Sequence, residues 1–441
     1  MIQHEEIRLP PGPKGRWRPT LRLIRDPRSA MEDWVKQYGD PFLLHALNGP
    51  VVVTGREDLI RLIHGQDPDI YEPFAIQTAG PILGLGSMLV LQGDRHRKER
   101  RMMTPMFHGD RMKAYGTIMQ ATAIARVEQH VKQDVVATTD LMTEISLEII
   151  IRTIFGGDDT QLIQKMFDAC RKVFACANPL LFFSRRTHIT FFGWTPWDRW
   201  QNAKGELCDL LDLAIDQRQK SNAERDDILA LLCTARYEDG QPLSRADLHA
   251  ELMTFLFAGH ETTALSLAWA IYHLHRAPQI LQSLRTELNS LPDDSLHELA
   301  TAPYLKAVIQ ETLRINPIVT ETLRKLKSPL KFGDYYLPAG MALAPATVLA
   351  HYNPVVFPDP DFFRPERFLE RSFTPFEYMP FGGGHRRCIG AAFASYEMAM
   401  VLGALLKRFD FELVDAEPVI VKRRNVTMGP STKIPVRIRL R

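Results

Sequence analysis

No run of eighteen apolar residues occurs anywhere in the 441-residue chain, and Met1 to Arg8 is too short and polar for the apolar stretch of a signal peptide. The sequence therefore predicts a soluble protein with no transmembrane anchor. Cysteine is scarce: the five residues at 170, 176, 208, 233 and 388 form no C-x-x-C pair, and their odd number excludes a complete disulfide framework. A reducing cytoplasm fits that usage. The first four lie in apolar helical patterns and read as small core residues. Surplus charge is missing too, because 54 Lys+Arg against 52 Asp+Glu leave only +2. Nothing in that balance asks for nucleic acid, and any basic partner surface has to be local. Internal repeats, low-complexity linkers, G-x-G-x-x-G fingerprints and iron–sulfur cysteine runs are absent as well.

What is present is ordinary globular protein, 45% hydrophobic and 24% charged, with enough chain for a large core. Asp26 before Pro27, with Gly39 beyond, frames a helix over 27–38. Apolar runs Phe42 to Leu47 and Val51 to Thr54 flank Asn48-Gly49, a hairpin signal. A short helix near Arg56 to Ile63 follows. Tyr71 to Val90 is irregular, apolar and interrupted by Gly80, Gly84 and Gly86, and predicts a long loop, either enclosing something apolar or tucked onto the core. Asp94 to Met103 is a strongly basic helix. Helical periodicity then covers about 111–131, 140–154, 160–177, 198–219 and 226–236. Between them, 178–197 carries Phe182, Phe183, Phe191, Phe192, Trp194 and Trp197, which suit either a lid over a membrane or apolar substrate, or a packed helix connection. Ser244 with Asp247 opens the longest helical pattern, about 32 residues or roughly 48 Å, ending before Pro278.

Three constellations carry chemistry. The first is Phe381-Gly-Gly-Gly-His-Arg-Arg-Cys388-Ile-Gly390, followed directly by helical apolar spacing from Ala391 to Phe409. Its cysteine stands at or just before a helix N-terminus, where unpaired N–H groups and the macrodipole favour a thiolate, a potential metal ligand or nucleophile. The glycines permit positive φ and close approach to a flat partner. The second is Ala258-Gly-His-Glu-Thr-Thr263 in the middle of the longest helix. A mid-helix glycine costs about 1 kcal/mol relative to alanine, and polar residues in an apolar segment cost more unless bonded, so the expense suggests use. Thr262 can bond back to the carbonyl at 258 and widen the helix there. The third is Glu311 with Arg314, one turn apart in an apolar helix that ends before Pro317.

Phe381, Gly384, Arg386, Cys388 and Gly390 match F-x-x-G-x-R-x-C-x-G, the haem-binding loop of the cytochrome P450 family, and the chain resembles that family over nearly its whole length. The helical patterns tally to about a dozen, with a few short sheets, which gives a mainly α fold with small β-sheets in one domain over 1–441, resembling the family's triangular prism. The resemblance implies haem b (iron protoporphyrin IX) ligated by the Cys388 thiolate. Ala258 to Thr263 is similar to the family's oxygen-binding groove, which would place Thr262 as hydrogen-bond partner of dioxygen and Glu261 as proton relay, beside Ala258 and Gly259. His96 and Arg100, four apart on the basic helix, with Arg324 and Arg386, resemble the set that holds the haem propionates. The family completes Glu311 and Arg314 with an arginine matched here by Arg367, a structural network that fixes the cysteine loop. Leu9-Pro-Pro-Gly-Pro13 resembles the hinge after the anchor of microsomal members; the anchor itself is missing, which suggests a soluble bacterial type.

The activity so implied inserts one atom of O2 into a C–H or C=C bond of a lipophilic small molecule. A haem-thiolate gas sensor or carrier would have no need of Glu261 and Thr262. Only about fifty residues follow Cys388, so electrons are expected from a separate acidic ferredoxin or flavodoxin, docked on a basic face of Arg97, Lys98, Arg101, Arg111, Lys113 and Arg387. The substrate cavity is expected to draw on Phe74, Ile76, Leu85, Met88, Phe182, Phe255, Ile318, Val319 and Met428. Fatty acids, terpenoids, steroids and macrolides are all compatible with such a lining, with a slight preference for a terpenoid or fatty acid.

Overall fold

The computed structural model describes the chain except residues 1–6, 48, 75, 110, 158, 178–180, 182–184, 221–224, 293–294 and 425. Helices lead among the described residues: α1 Trp17–Arg25, α2 Pro27–Tyr38, α3 Glu57–Gly65, α4 Ile76–Leu83, α5 Gly93–Met103, α6 Arg111–His130, α7 Thr138–Phe155 and α8 Thr160–Cys176. They continue as α9 Pro196–Lys220, α10 Ile228–Thr234, α11 Arg245–Arg276, α12 Pro278–Ser290, α13 Leu296–Thr301, α14 Pro303–Ile315, α15 Thr347–His351, α16 Arg367–Glu370 and α17 Ala391–Arg408. The chain divides into two compact units, one of Met1–Phe74, Gln310–Cys388 and Val419–Ser431, the other of Ala75–Ile309, Ile389–Pro418 and Thr432–Arg441.

The first unit is built on a five-stranded sheet: β1 Phe42–Ala46, β2 Gly49–Thr54, then Ala342–Pro345, Arg324–Leu326 and Tyr71–Pro73. Alternation along the strands sorts side chains to two faces. Phe42, Leu44, Val51 and Val53 pack with Ala30, Met31 and Trp34 of α2 on one face. Leu43, Val52, Leu326 and Leu343 pack with Leu59 and Ile63 of α3 on the other. The β1–β2 hairpin pairs Ala46 with Gly49, so Gly49 belongs to the second strand and the reversal falls one residue earlier than the Asn-Gly signal placed it. Gly49, at φ 123, begins the second strand.

In the second unit α11 packs along α7, and α17 packs on α6. The N-cap of α11 is Ser244, whose hydroxyl oxygen accepts from the Asp247 amide at 3.1 Å, as the capping pattern requires. From Ala250 to Leu256 and again from Thr263 to Tyr272 every residue of α11 is buried. The stretch expected to be a continuous loop from 71 to 90 is not one: β3 spans Tyr71–Pro73 and α4 spans Ile76–Leu83. Gly80 and Pro81 hid that helix from periodicity, although both lie in its second half, where a helix too short to be disrupted by a lost hydrogen bond tolerates them.

Candidate functional site

The cysteine loop belongs to the first unit and is shaped by its glycines. Gly382 and Gly384 sit at φ 65 and 63, the left-handed region that a side chain resists. Gly383 has an extended backbone and is small for another reason: a Cβ there would lie 2.2 Å from Nδ1 of His64 on α3. The loop closes on itself when the Cys388 amide donates to the Phe381 carbonyl at 3.0 Å. Cys388 and Arg387 are exposed, and Arg386 is half-buried. Arg324 is buried beneath the loop and donates from Nη2 to the Gly383 carbonyl at 2.7 Å; burial lowers its pKa from the ordinary arginine range.

Upstream, Glu311, Arg314 and Arg367 meet in one buried network. Arg314 forks onto Glu311 with Nε–Oε2 at 2.7 Å and Nη2–Oε1 at 2.8 Å, both side chains wholly buried. Arg367 Nε lies 3.1 Å from Glu311 Oε2, and the Arg364 amide donates to Glu311 Oε1 at 2.9 Å. The remaining guanidinium protons bind carbonyls of His351, Pro358 and Pro360, so the charges fix the backbone between 351 and 367. Sequence reasoning missed His351, which carries that order onward. Its Nε2 accepts from the Met379 amide at 2.9 Å, which leaves Nδ1 as the protonated nitrogen, 3.2 Å from the Arg314 carbonyl. Burial, helped by Arg314, pushes the His351 pKa down to about 3, so it is neutral. The Gly382 amide then donates to the Met379 carbonyl at 3.0 Å, so an unbroken chain of bonds joins Glu311 to the cysteine loop. A lone histidine outside any motif gave no signal for this role.

In the second unit, Thr262 Oγ1 donates to the Ala258 carbonyl at 2.8 Å and Thr263 Oγ1 to the Gly259 carbonyl at 3.3 Å. Such bonds compete with the helical ladder and loosen it locally. In a helix otherwise buried for most of its length, Ala258 is exposed, and Phe257, Gly259, Glu261 and Thr262 are half-buried. This notch is the one opening in the middle of α11. His260, inside the same motif, turns the other way: buried, stacked on Phe174 at 4.0 Å and bonded to the Leu256 carbonyl, it is held neutral with a pKa of about 4 by burial. On α5, His96 is buried and Arg100 half-buried. Between them lies a second group that the sequence did not announce. Glu99 and Glu251 are both buried, Glu251 accepting from the Met88 amide at 2.8 Å and Glu99 from Tyr237 Oη at 3.0 Å; burial raises both pKa values, that of Glu251 to about 9.

The expected cavity residues fall in both units. Phe74, half-buried, packs against the sheet core with α2. Ile318 and Met428 are brought together, the Met428 amide donating to the Ile318 carbonyl at 2.8 Å, with Val319 half-buried beside them. In the second unit, Phe255 stands edge-on to Phe107 at 5.2 Å, Met88 is buried, Ile76 half-buried and Leu85 73% exposed. Phe182 lies outside the described residues.

Comparison with known proteins gives this geometry a context. The family model for cytochrome P450 matches residues 10–435, spanning both units. The chain belongs to the cytochrome P450 family. It is 33% identical over 436 residues to "Putative cytochrome P450 138" of Mycobacterium tuberculosis, covering 96% of this chain and 95% of the relative. It is 32% identical over 449 residues to "Putative cytochrome P450 135B1" of the same species, covering 98% and 91%. Among solved structures it resembles "Retinoic acid bound cyanobacterial CYP120A1", with TM-score 0.87, 25% identity and 99% and 100% of the two chains covered. As a cytochrome P450 it is an oxidoreductase, a haem-thiolate monooxygenase that uses haem b. The residues present fit that cofactor: an exposed cysteine ends a loop cleared of side chains by three glycines, with buried Arg324 and half-buried Arg386 in the same unit. Among the described residues no helix is long and apolar enough to cross a membrane.

Proposed function

We propose that Cys388 supplies the thiolate that ligates the haem iron, and that His96, Arg100, Arg324 and Arg386 neutralise its propionates. When bound, the haem would supply activation of O2 for insertion of one oxygen atom into the substrate, with the Cys388 thiolate donating electron density to it. The chain's own residues then have separate tasks. Glu311, Arg314, Arg367 and His351 hold the backbone that leads into the cysteine loop and take no part in proton transfer. Glu261 and Thr262 stand at the notch of α11, where a carboxylate half open to solvent and a hydroxyl one residue on form a short route for protons. The observation that carries the reading is that notch: a bulk-free, part-exposed Ala-Gly with Thr262 turned onto the Ala258 carbonyl, in the middle of a buried helix.

The substrate is a lipophilic small molecule, with a terpenoid or fatty acid favoured over a steroid or macrolide. Every expected cavity residue is apolar, and the solved neighbour carries retinoic acid, an isoprenoid carboxylic acid. Electrons come from a separate acidic ferredoxin or flavodoxin. Lys98 and Lys113 are exposed and suit that docking, whereas Arg97 is paired with Asp94 and Arg101 with Glu238 at 2.6 Å, which weakens their share of the attraction. The two units are taken as parts of one catalytic domain, since one family model runs through both.

Titrating the purified protein with isoprenoid acids, fatty acids, steroids and macrolides, and following the spin state of the haem spectrum, tests the substrate assignment. Isoprenoid or fatty acids are expected to shift it at the lowest concentrations; a shift confined to steroids or macrolides contradicts the assignment.

A further inference from the structure

Residues 84–91, between α4 and α5 in the second unit, form a turn seated on α11. Gly84 and Gly86 bring it close: Cβ atoms there would lie 2.9 Å from the Ala250 Cβ and 2.2 Å from Asp247 Oδ1. Across that seam Ser87 Oγ and Thr254 Oγ1 share a hydrogen bond at 2.7 Å, and the Met88 amide donates to Glu251 Oε1 at 2.8 Å. Leu85 and Leu89 of the same turn are exposed, so solvent lies on its other side. The backbone of Met88 is thus held by a carboxyl group that is itself wholly buried.

Glu251 has a second acid for a neighbour. Glu99 of α5 is also wholly buried, and the two carboxyls lie within hydrogen-bond reach of each other. Each uses one oxygen on ordinary donors: Oε1 of Glu251 on the Met88 amide, and Oε1 of Glu99 on Arg95 Nε and Tyr237 Oη, both at 3.0 Å. The other oxygen of each, Oε2, is buried and has no donor. Buried acceptors without donors are costly, and a single proton between the two carboxyls satisfies both. Charge points the same way. Arg95 pairs with Glu99 and with Asp247 of α11, Tyr237 is a neutral donor, and residues 84–91 carry no titratable side chain. Fully ionised, three acids would face one arginine, a state that like charges in a dry site disfavour. Burial, and after it the neighbouring Glu99, raises the Glu251 pKa to about 9, so the proton is in place at neutral pH.

We infer that Glu99 and Glu251 share one proton, and that this proton is the clasp that holds the 84–91 turn, with Met88, against α11. Glu251 is here a positioning residue, since what it fixes is the place of the Met88 backbone, and the clasp stands whatever the substrate is. An unfolded glutamate titrates near 4.5, so the stability that the clasp supplies is full below that value and is lost as pH rises through about 9.

Hydrogen exchange of the haem-loaded protein, followed by mass spectrometry over residues 84–91, tests this against Glu251→Gln. That variant reproduces the shared-proton state at every pH, its amide oxygen accepting from Met88 and its amide nitrogen donating to Glu99. Comparison at equal pH cancels the intrinsic dependence of exchange on hydroxide. At pH 7 the two proteins are expected to match; at pH 10, one unit above the Glu251 value, the wild-type turn is expected to exchange about tenfold faster than that of the variant. Equal exchange at pH 10 overturns the inference. So does faster exchange of Glu251→Gln at pH 7, which would mean that a carboxylate and not a proton seats the turn. Infrared difference spectra between pH 7 and pH 10 read the proton itself and need no folded Glu251 variant. They are taken on Glu397→Gln, which removes an acid buried elsewhere with a pKa of about 8. Loss of a protonated-carboxyl band on raising the pH is expected there, and absence of that band overturns the shared proton.

Discussion

Thr262 illustrates how one side chain separates chemistry from scaffold. Its hydroxyl bonds the Ala258 carbonyl at 2.8 Å, so replacing it by alanine removes a donor at the notch. Thr262→Ala is expected to keep haem and substrate binding while most reducing equivalents emerge as hydrogen peroxide; product formed in full proportion to electrons consumed would remove the proton-delivery role. Glu397, on α17, shows the opposite case of a buried acid used for structure. It accepts from Ser146 Oγ at 2.7 Å, and burial raises its pKa to about 8. An unfolded glutamate titrates near 4.5, so the native state holds the extra proton between those values. Its stabilisation is present in full below about 4.5 and is lost as pH rises through 8. Glu397→Gln, neutral at every pH, is therefore expected to melt higher than the wild type at pH 9 and close to it at pH 5. Residues such as Glu311, Arg314, Thr262 and Cys388 were legible because motif and position coincide. Glu99 and Glu251 were not, since the bonds from Tyr237 to Glu99 and from Met88 to Glu251 each span more than a hundred positions and neither acid stands in a pattern.

At the scale of elements, legibility followed the strength of local signals. The helix at Pro27–Tyr38 and the long helix from Arg245 have strong caps and were placed to within a residue. The helix at Ile76–Leu83 contains a glycine and a proline and was read as loop, and the hairpin turn slipped by one residue because register depends on the flanking strands and not on the turn alone. The packing of α3 beneath the cysteine loop was invisible, because no sequence pattern predicts which side chain fills a glycine's empty side. It makes a sharp prediction. Gly383→Ala drives a methyl group into His64 and is expected to yield protein with sharply reduced haem content, measured as haem per polypeptide after purification; adding His64→Ala should restore much of it. Normal haem content in Gly383→Ala alone would contradict the close approach. Glu311→Ala leaves two buried guanidinium groups without their acid and should cost about 3–5 kcal/mol, seen as a large fall in melting temperature and in holoprotein yield.

The whole molecule carries the same physics in its response to acid. His64, His260 and His351 are buried, with pKa values lowered to about 4, 4 and 3, chiefly by burial. Unfolded histidines take up protons near 6.5, so between there and about 3 the unfolded chain binds more protons than the native one. Stability from these groups is present above pH 6.5 and is lost as pH falls toward 3. Composition and length bounded the chain correctly as ordinary mixed protein with a large core, and the mainly α class with small sheets followed from its helical tally; the division into two compact units, each stitched from distant segments, had no trace in local sequence. Everything proposed for the reaction rests on the Cys388 sulfur serving as the axial ligand of haem iron. The most direct measurement is the carbon monoxide difference spectrum of the reduced, purified protein. The strongly red-shifted Soret band of thiolate ligation is expected in the wild type and not in Cys388→His; a wild-type spectrum of nitrogen ligation, or no haem at all, would contradict the account.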